Sequence, residues 1–364
     1  MIDKELVGKK ILVIYQPWRK FSEGLHQPMI ENLKKLGLEV EFLDIENPPK
    51  FKNKNWGDKI KNIYHRVINN DKNYIFIAEK KHYNRFNLEH LKAFKNQKFD
   101  FVLIIKPDEF TPKFIKKATQ LGDVTVGYIW DGIRPFFLES LYKSRKYFSY
   151  LYSFDQNDIK KYPELKMDFL TNYYLFDENR ERYNSKELDL YYIGALGGKL
   201  PHQRRDFLLE KLLKNFTGKT EVKIHLEKHF LLSENEKLKN SKIEYIYDYV
   251  SYHEAMEKTK SSKIVIDIRK KHHIGLSFRF FECMYYEVKI ITDNETVKNY
   301  DFYNPNNILV VDFDKIDNYQ KEINSFVHLP YQKLPDEILK KYSIKNWIKY
   351  IFKIGDFQEI EYLD

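Results

Sequence analysis

The chain has 364 residues, of which 43% are hydrophobic and 16% aromatic, so it can build two packed domains and is not wholly disordered. No apolar run reaches the length of a membrane span, and the start lacks the pattern of a signal peptide. The single cysteine, Cys283, excludes an internal disulfide and a cysteine-based zinc site.

The net charge of +9 comes from lysines that are scattered and interleaved with acids. This pattern favours solvated helix faces over a nucleic-acid partner, and we expect no nucleic acid. A weak attraction to an anionic membrane surface stays open. The sequence therefore predicts a cytoplasmic protein, with a peripheral contact to the inner face of the cell membrane left open.

The first half of the chain alternates apolar strands with amphipathic helices. Short apolar runs predict strands over Lys10 to Tyr15, Glu39 to Leu43, Asp100 to Ile105, Val124 to Trp130 and Tyr150 to Phe154. Periodic segments predict helices over Gly24 to Leu36, Asp58 to Ile68, Leu88 to Lys95, Thr111 to Leu121 and Phe137 to Lys146. Near-continuous apolar strands joined by helices indicate a parallel sheet. The opening unit lacks a GxGxxG motif, so we expect no dinucleotide there.

The pattern restarts at Leu188, after a charge-rich connector over Tyr173 to Asn184. Strands are predicted over Leu188 to Ile193, Val222 to Leu226, Ile243 to Tyr245, Lys263 to Ile268, Val288 to Thr292 and Asn307 to Val311. Helices are predicted over Pro201 to Asn215, around Glu234 to Lys239, and over Ser251 to Lys260, Lys315 to Phe326 and Ile338 to Lys353. The predicted fold class is α/β, with two Rossmann-like halves.

The stretch from residue 263 to 293 contains the clearest candidate site: a strand, a cationic loop, a helix and a second strand. We expect Ser277 to cap the helix. Arg279 and Glu282 then lie on one helix face, at the edge where parallel sheets bind ligands. Arg279 and the helix amides suit a diphosphate, and Glu282 suits ribose hydroxyls. The alternative is an ordinary amphipathic helix with Arg279 and Glu282 as a surface ion pair.

A second candidate is the glycine-rich turn from Gly194 to Lys199, followed by Arg204 and Arg205. Such a turn lets backbone amides approach phosphate, and the arginines add charge. The spacing does not match a P-loop, because no Gly-Lys-Ser/Thr follows. A flexible turn with exposed cations is the alternative.

Two residues are candidates for a general base. Asp131 follows a predicted strand and would face a cleft. The alternative is that Asp131 only forms a turn or caps a helix, which is the more common role of an aspartate before glycine. His26 lies near the first strand-to-helix loop and has a suitable ordinary pKa, although it also fits an exposed helix position. Asp155 is a weaker third candidate. We expect no metal site, because His272 and His273 are adjacent and the Asp-Phe-Asp at 312–314 is predicted to be a turn.

The order of these features resembles the bacterial GT-B glycosyltransferases of capsule and lipopolysaccharide synthesis, with a CgeB-like or group 1-like sugar-donor domain. The segments that carry the resemblance are KKILVI at the start, YIWD and YSFD after two strands, YIG before Arg204 and Arg205, and GLSFRFFE at 275–282. The resemblance implies two Rossmann-like domains facing a cleft. It implies an acceptor domain over 1–175, a sugar-donor domain over 176–335, and C-terminal helices over 336–364 that cross back to the first domain.

The resemblance also implies an activity: a glycosyltransferase that moves a sugar from a nucleotide-sugar to a saccharide or glycolipid acceptor, without metal or cofactor, in surface polysaccharide or glycoconjugate synthesis. The catalytic candidates stay Asp131 and His26. The predicted substrate-binding residues are Gly194, Lys199, Arg205, Tyr249, Arg269, Gly275, Ser277, Arg279 and Glu282. Two alternatives stay open: a polyol-phosphate transferase of the teichoic-acid type, and a nucleotide- or sugar-binding protein without catalysis.

Overall fold

A computed structural model describes residues 2–15, 24–43, 51, 56–67, 74–180, 186–198, 203–226, 232–233, 236–239, 242–270 and 273–362. The chain divides into two compact units. Unit 1 consists of Met1–Trp18, Ile30–Leu170 and Ile348–Phe357. Unit 2 consists of Arg19–Met29, Thr171–Trp347 and Gln358–Asp364.

Unit 1 contains a parallel sheet with the strand order β2-β1-β3-β4-β5-β6. Its strands are β1 (Lys10–Ile14), β2 (Glu39–Phe42), β3 (Phe99–Ile105), β4 (Gly122–Ile129), β5 (Tyr150–Ser153) and β6 (Asp168–Phe169). β3 is buried along nearly its whole length, as expected of a central parallel strand covered on both faces. The strand order reverses between β1 and β3.

The helices in the first half of the chain lie between these strands. They are α1 (His26–Lys35), α2 (Trp56–Val67), α3 (Tyr74–Leu91), α4 (Pro112–Thr119), α5 (Leu138–Ser144) and α6 (Gln156–Lys161). The predicted end of α1 at Gly37 is confirmed: its φ is +107°, and the amide of Leu38 closes the turn on the carbonyl of Leu33 at 3.2 Å. Thr111 caps α4 as predicted, accepting from the amide of Phe114 at 3.4 Å.

Helix α3 is much longer than the predicted Leu88 to Lys95 segment. Its buried residues include Lys80, Asn84 and Asn87, so a polar face is turned inward. Lys80 donates to the carbonyl of Asp108 at 2.5 Å, and the amide of Thr111 donates to Asn84 Oδ1 at 2.6 Å. The prediction of this helix was wrong in extent because it relied on apolar periodicity, which α3 lacks.

Unit 2 contains a second parallel sheet, with the strand order β12-β11-β10-β7-β8-β9. Its strands are β7 (Leu188–Ala195), β8 (Thr220–His225), β9 (Ile243–Ile246), β10 (Ser262–Asp267), β11 (Lys289–Thr292) and β12 (Ile308–Val310). Numbered within the unit this is the Rossmann order, and the order reverses between β7 and β10.

The remaining helices are α7 (Arg205–Asn215), α8 (Tyr252–Lys260), α9 (Phe278–Tyr285), α10 (Gln320–His328), α11 (Asp336–Lys341) and α12 (Ile344–Phe352). Ser251 caps α8 as predicted, accepting from the amide of Glu254 at 3.2 Å. The predicted helix around Glu234 to Lys239 is wrong where the structure describes it, because residues 236–239 are not helical and the Glu236 carboxylate binds back to the amide of Ser233 at 2.8 Å. None of the helices formed by the described residues is long and apolar enough to cross a membrane.

Candidate functional site

Arg279 lies in the first turn of α9 and joins the carboxyl ends of β7 and β10. Its guanidinium donates to the carbonyl of Ile193 at 2.9 Å and to that of Ile266 at 3.3 Å. Asp267 Oδ1 accepts a further N–H bond at 3.2 Å. β7 and β10 are the strands between which the sheet order reverses, which is where open α/β sheets bind ligands. The backbone of both strands therefore holds Arg279 in place at the expected ligand position.

Arg205 joins the same two strands from the start of α7. It donates to the carbonyl of Ala195 at 3.3 Å and to that of Ile268 at 3.2 Å. We call Arg205 and Arg279 the arginine pair. Both are half-buried, and the Asp267 carboxylate pairs with Arg279 at 3.2 Å. The arrangement is positively charged at the amino ends of two helices, which suits an anionic ligand.

Ser277 occupies the cap position of α9, but its side chain makes no capping hydrogen bond. Its hydroxyl donates instead to Asp267 Oδ1 at 2.8 Å. The prediction that Ser277 caps the helix through its side chain is therefore wrong. Asp267 competes for the hydroxyl, and the same carboxylate oxygen then binds both Ser277 and Arg279.

The glycine-rich turn after β7 lies beside the arginine pair. A Cβ on Gly194 would lie 2.4 Å from the Tyr192 hydroxyl, so the missing side chain makes room for that ring. The Tyr192 ring centroid lies 5.9 Å from the guanidinium carbon of Arg279. Gly197 has a φ of +100°, which favours glycine. Lys199 lies outside the described residues.

The loop between β10 and α9 is anchored to the end of β11. The amide of Arg269 donates to Asp293 Oδ1 at 2.8 Å. The Asn294 amide group donates to the carbonyl of Ile274 at 3.1 Å, next to Gly275. Sequence reasoning did not assign Asn294 to the site, although the polar pair Asp293-Asn294 directly after a predicted strand is the signal that could have found it. These bonds anchor the described parts of the loop at Arg269 and at Ile274, ahead of α9.

Glu282 is buried and accepts a hydrogen bond at 2.9 Å from the hydroxyl of Tyr252, which begins α8. Burial raises the pKa of Glu282, while the Tyr252 hydrogen bond and the charge of Arg279 oppose the rise. The alternative of a surface ion pair between Arg279 and Glu282 is wrong, because Glu282 is not at the surface and Arg279 pairs with Asp267. Sequence reasoning also missed Tyr252.

His26, a predicted base, belongs to unit 2 together with the arginine pair. It begins α1 and is half-buried. Two residues before it, Gly24 packs against Tyr252 so closely that a Cβ on the glycine would lie 2.2 Å from the Tyr252 Cβ. Three residues after it, Met29 Sδ accepts from the Tyr173 hydroxyl at 3.0 Å. The segment that carries His26 is thus held against α8, the helix that supports Glu282.

Tyr249 belongs to an exposed aromatic surface after β8 and β9. Its ring stacks on that of His225, with centroids 4.0 Å apart and an interplanar angle of 22°. His225 Nε2 lies 3.2 Å from the carbonyl oxygen of Tyr247, and both tyrosines are exposed. A planar ring of a ligand could stack on such a surface.

Asp131, the other predicted base, follows β4 in unit 1 and is half-buried. Beside it lies a cluster of buried charges that sequence reasoning missed. Lys106, which follows β3 with a φ of 56°, donates to the carbonyl of Gly132 at 2.9 Å and lies 3.6 Å from Asp108 Oδ1. Neither carboxylate oxygen of Asp108 accepts a hydrogen bond from the described residues. The charged residues from Lys106 to Glu109, directly after the apolar strand β3, are the signal that could have predicted this cluster.

Two neighbouring side chains have strongly shifted pKa values. Burial raises the pKa of Glu109 to about 8, and Lys106 acts against this shift. Burial also lowers the pKa of Lys80 to about 8. Arg134 lies 3.6 Å from Glu109 Oε1 and is exposed. Such perturbed groups at the carboxyl edge of a parallel sheet are a frequent property of binding and catalytic sites.

The structure therefore brings most of the predicted sugar-donor residues together in unit 2 and places Asp131 in unit 1. In the described part of the chain, no three His, Cys, Asp or Glu side chains form a group that could hold a metal ion.

Comparisons with protein-family models and with curated protein sequences find no match. Among solved structures, the chain is similar to one from E. coli described as trehalose-6-phosphate bound with UDP-2-fluoro glucose, at 12% identity and a TM-score of 0.58 over 95% of this chain and 100% of that one. It is similar to a UDP-forming α,α-trehalose-phosphate synthase from Burkholderia xenovorans in complex with glucose-6-phosphate, at 12% identity and 0.58 over 95% and 99%. It is also similar to an α-glucosyltransferase in complex with UDP and a 13-mer DNA, at 12% identity and 0.55 over 95% and 99%.

These structures have the GT-B fold, and at such identities the likeness concerns the fold. The predicted fold class, α/β with two Rossmann-like domains of GT-B type, is confirmed.

Proposed function

We propose that this protein is a glycosyltransferase that moves a sugar from a nucleotide-sugar to a saccharide or glycolipid acceptor, without a metal ion, in the synthesis of a surface polysaccharide or glycoconjugate. The arginine pair carries the proposal, because two guanidinium groups are held by strand carbonyls at the reversal point of the unit 2 sheet. Further support comes from structures of the same fold that hold UDP, UDP-2-fluoro glucose or glucose-6-phosphate.

The arginine pair would bind the diphosphate of the sugar donor. Guanidinium groups bind phosphate oxygens through paired N–H bonds, and these two are already oriented by the backbone. Loop residues 269–277 and the turn at 194–199, with Arg269, Gly275 and Lys199, would complete the phosphate site. Glu282 would accept from ribose hydroxyls, and the exposed ring of Tyr249 would stack on the nucleobase.

In the reaction, the bond between the anomeric carbon and the diphosphate oxygen breaks while a bond to the acceptor oxygen forms. Negative charge then grows on the leaving nucleoside diphosphate, and the arginine pair and the amino ends of α7 and α9 stabilise it. The acceptor hydroxyl loses its proton to a base, Asp131 or His26. Asp131 is supported by the charged cluster at the carboxyl edge of the unit 1 sheet, and His26 by its membership of unit 2.

Calorimetric titration of nucleoside diphosphates into the protein tests the sugar-donor site. We expect Arg205→Gln and Arg279→Gln each to weaken binding about tenfold to a hundredfold, the effect of losing charged hydrogen bonds of about 1.5–3 kcal/mol. Lys263→Gln is the matched control, because Lys263 is exposed at the opposite end of β10 and pairs with Asp189. Unchanged affinity of both arginine variants for every nucleoside diphosphate would contradict the proposal.

A turnover assay with nucleotide-sugars tests the reaction. Glycosyl transfer releases a nucleoside diphosphate, whereas the alternative polyol-phosphate transfer releases a nucleoside monophosphate, and a binding protein without catalysis releases neither. Asp131→Asn should keep nucleotide binding and lose transfer if Asp131 is the base. Normal transfer by Asp131→Asn would assign the base to His26, and His26→Gln should then be inactive.

A further inference from the structure

Helix α2 (Trp56–Val67) turns an apolar face to solvent. Ile60, Ile63, Tyr64 and Val67 are 60%, 61%, 53% and 71% exposed. Their spacing places them in one stripe along the helix, which we call the α2 stripe. A surface helix of a globular protein normally turns such a stripe to the core. The opposite orientation indicates a surface that covers the α2 stripe from outside.

The sequence around the α2 stripe is strongly cationic. Residues 50–67 include six lysines or arginines and one aspartate, so they carry five of the net nine positive charges of the chain. At about 100° per residue, Lys59 flanks the stripe on one side.

We propose that the α2 stripe docks the protein on a lipid bilayer with anionic headgroups, with the helix lying in the plane of the interface. Interfacial helices combine an apolar stripe with lysine and arginine at its borders, whose charges reach the headgroups while the stripe enters the acyl boundary. Tyr64 fits this position, because tyrosine rings prefer the headgroup level. A protein partner could match the stripe, but the net charge of +5 that the sequence carries over residues 50–67 favours an anionic membrane.

Co-sedimentation of the full chain with vesicles tests this proposal. We expect binding to vesicles of phosphatidylcholine with phosphatidylglycerol, weak binding to phosphatidylcholine alone, and loss of binding as salt is added, because salt screens the headgroup attraction. Ile63→Glu should lower the partition coefficient about tenfold or more, since one isoleucine no longer enters the bilayer. Ile2→Glu is the matched control: Ile2 is 74% exposed in unit 1, and the same change there should leave partitioning unchanged.

Four results would overturn the proposal. Equal sedimentation of the wild type with both kinds of vesicle would contradict the role of the anionic headgroups. Equal sedimentation of Ile63→Glu and the wild type with anionic vesicles would contradict the role of the stripe. A large fall in the melting temperature of Ile63→Glu would mean that the chain itself covers the stripe. A concentration-dependent dimer in analytical ultracentrifugation, dissolved by Ile63→Glu and without vesicle binding, would assign the stripe to a second copy of the chain. Nucleotide affinity should be the same in Ile63→Glu, so this test is independent of the proposed glycosyl transfer.

Discussion

Replacing Tyr252 by phenylalanine removes one hydroxyl and leaves the Cβ and backbone that pack on Gly24. In the structure that hydroxyl donates to Glu282 Oε1 at 2.9 Å, and Glu282 is buried. The bond opposes the rise that burial causes in the pKa of Glu282. In Tyr252→Phe the carboxylate stays buried but loses this donor, so its ionised form becomes less stable.

The expected loss in the free energy of unfolding follows from the type of bond. A hydrogen bond to a charged group contributes about 1.5–3 kcal/mol, and an unsatisfied buried acceptor costs a similar amount. We therefore expect Tyr252→Phe to destabilise the protein by about 2 kcal/mol at pH 7. The loss should shrink in acid, because the raised pKa of Glu282 means that the carboxyl takes up a proton in the native state before it does so in the unfolded chain.

Urea unfolding followed by circular dichroism, at pH 7 and at about pH 5, measures this difference. Tyr142→Phe is the matched control, because it removes the same atom from a hydrogen bond to a carboxylate, Glu164 at 3.3 Å, at an exposed site. We expect the control to change stability by less than about 0.5 kcal/mol. If Tyr252→Phe is as neutral as Tyr142→Phe, the reasoning about the buried Glu282 is refuted.

Three further changes test other contacts. Glu109→Gln should flatten the pH dependence of the free energy of unfolding between about pH 5 and 8. The native pKa of Glu109, about 8, exceeds the ordinary 4.5, so its contribution to stability is complete in acid and is lost as the pH rises to 8. An unchanged slope of stability against pH in urea titrations would contradict this. Gly24→Ala should lower stability by about 1–3 kcal/mol in thermal unfolding, because the new Cβ would overlap Tyr252, whereas Gly57→Ala, which meets no atom within 4 Å, should not. Lys289→Met should lower the free energy of unfolding in urea by about 1–3 kcal/mol. Its Nζ donates to the carbonyl of Leu329 at 2.7 Å and to two further carbonyls at the end of α10. Stability like that of the wild type would contradict this role.

The fold could be predicted from the sequence because its parallel strands are buried on both faces. The run from Asp100 to Ile105, for example, is apolar almost throughout, and the observed β3 differs from the prediction by one residue. Helix α3 could not be predicted in the same way. Its inward face carries Lys80 and Asn84, whose burial depends on carbonyl partners 28 and 25 residues further along the chain.

The candidate site shows the same division between local and distant causes. The position of Arg279 at the start of α9 follows from local spacing, and the structure places it at the reversal of the sheet order. Its partners do not follow from spacing, because Asp267 competes for the Ser277 hydroxyl and the carbonyl of Ile193 comes from a strand 86 residues away. The buried charges at Lys106 were missed for a similar reason: they are tolerated only where several opposite charges meet in the folded chain.

The most direct test of the central claim is a thermal unfolding experiment with a panel of nucleoside diphosphates and nucleotide-sugars. A ligand that binds only the folded protein at a hundred times its dissociation constant stabilises it by about 2.7 kcal/mol, which raises the melting temperature by several degrees. We predict such a rise for at least one nucleoside diphosphate in the wild type and in Lys263→Gln. In Arg205→Gln, a tenfold to hundredfold weaker site leaves a stabilisation of about 1.4 to 0.4 kcal/mol, so the rise should fall to about half or less. No rise with any nucleotide, or the same rise in Arg205→Gln, would contradict the assignment of a nucleotide-sugar site to the arginine pair.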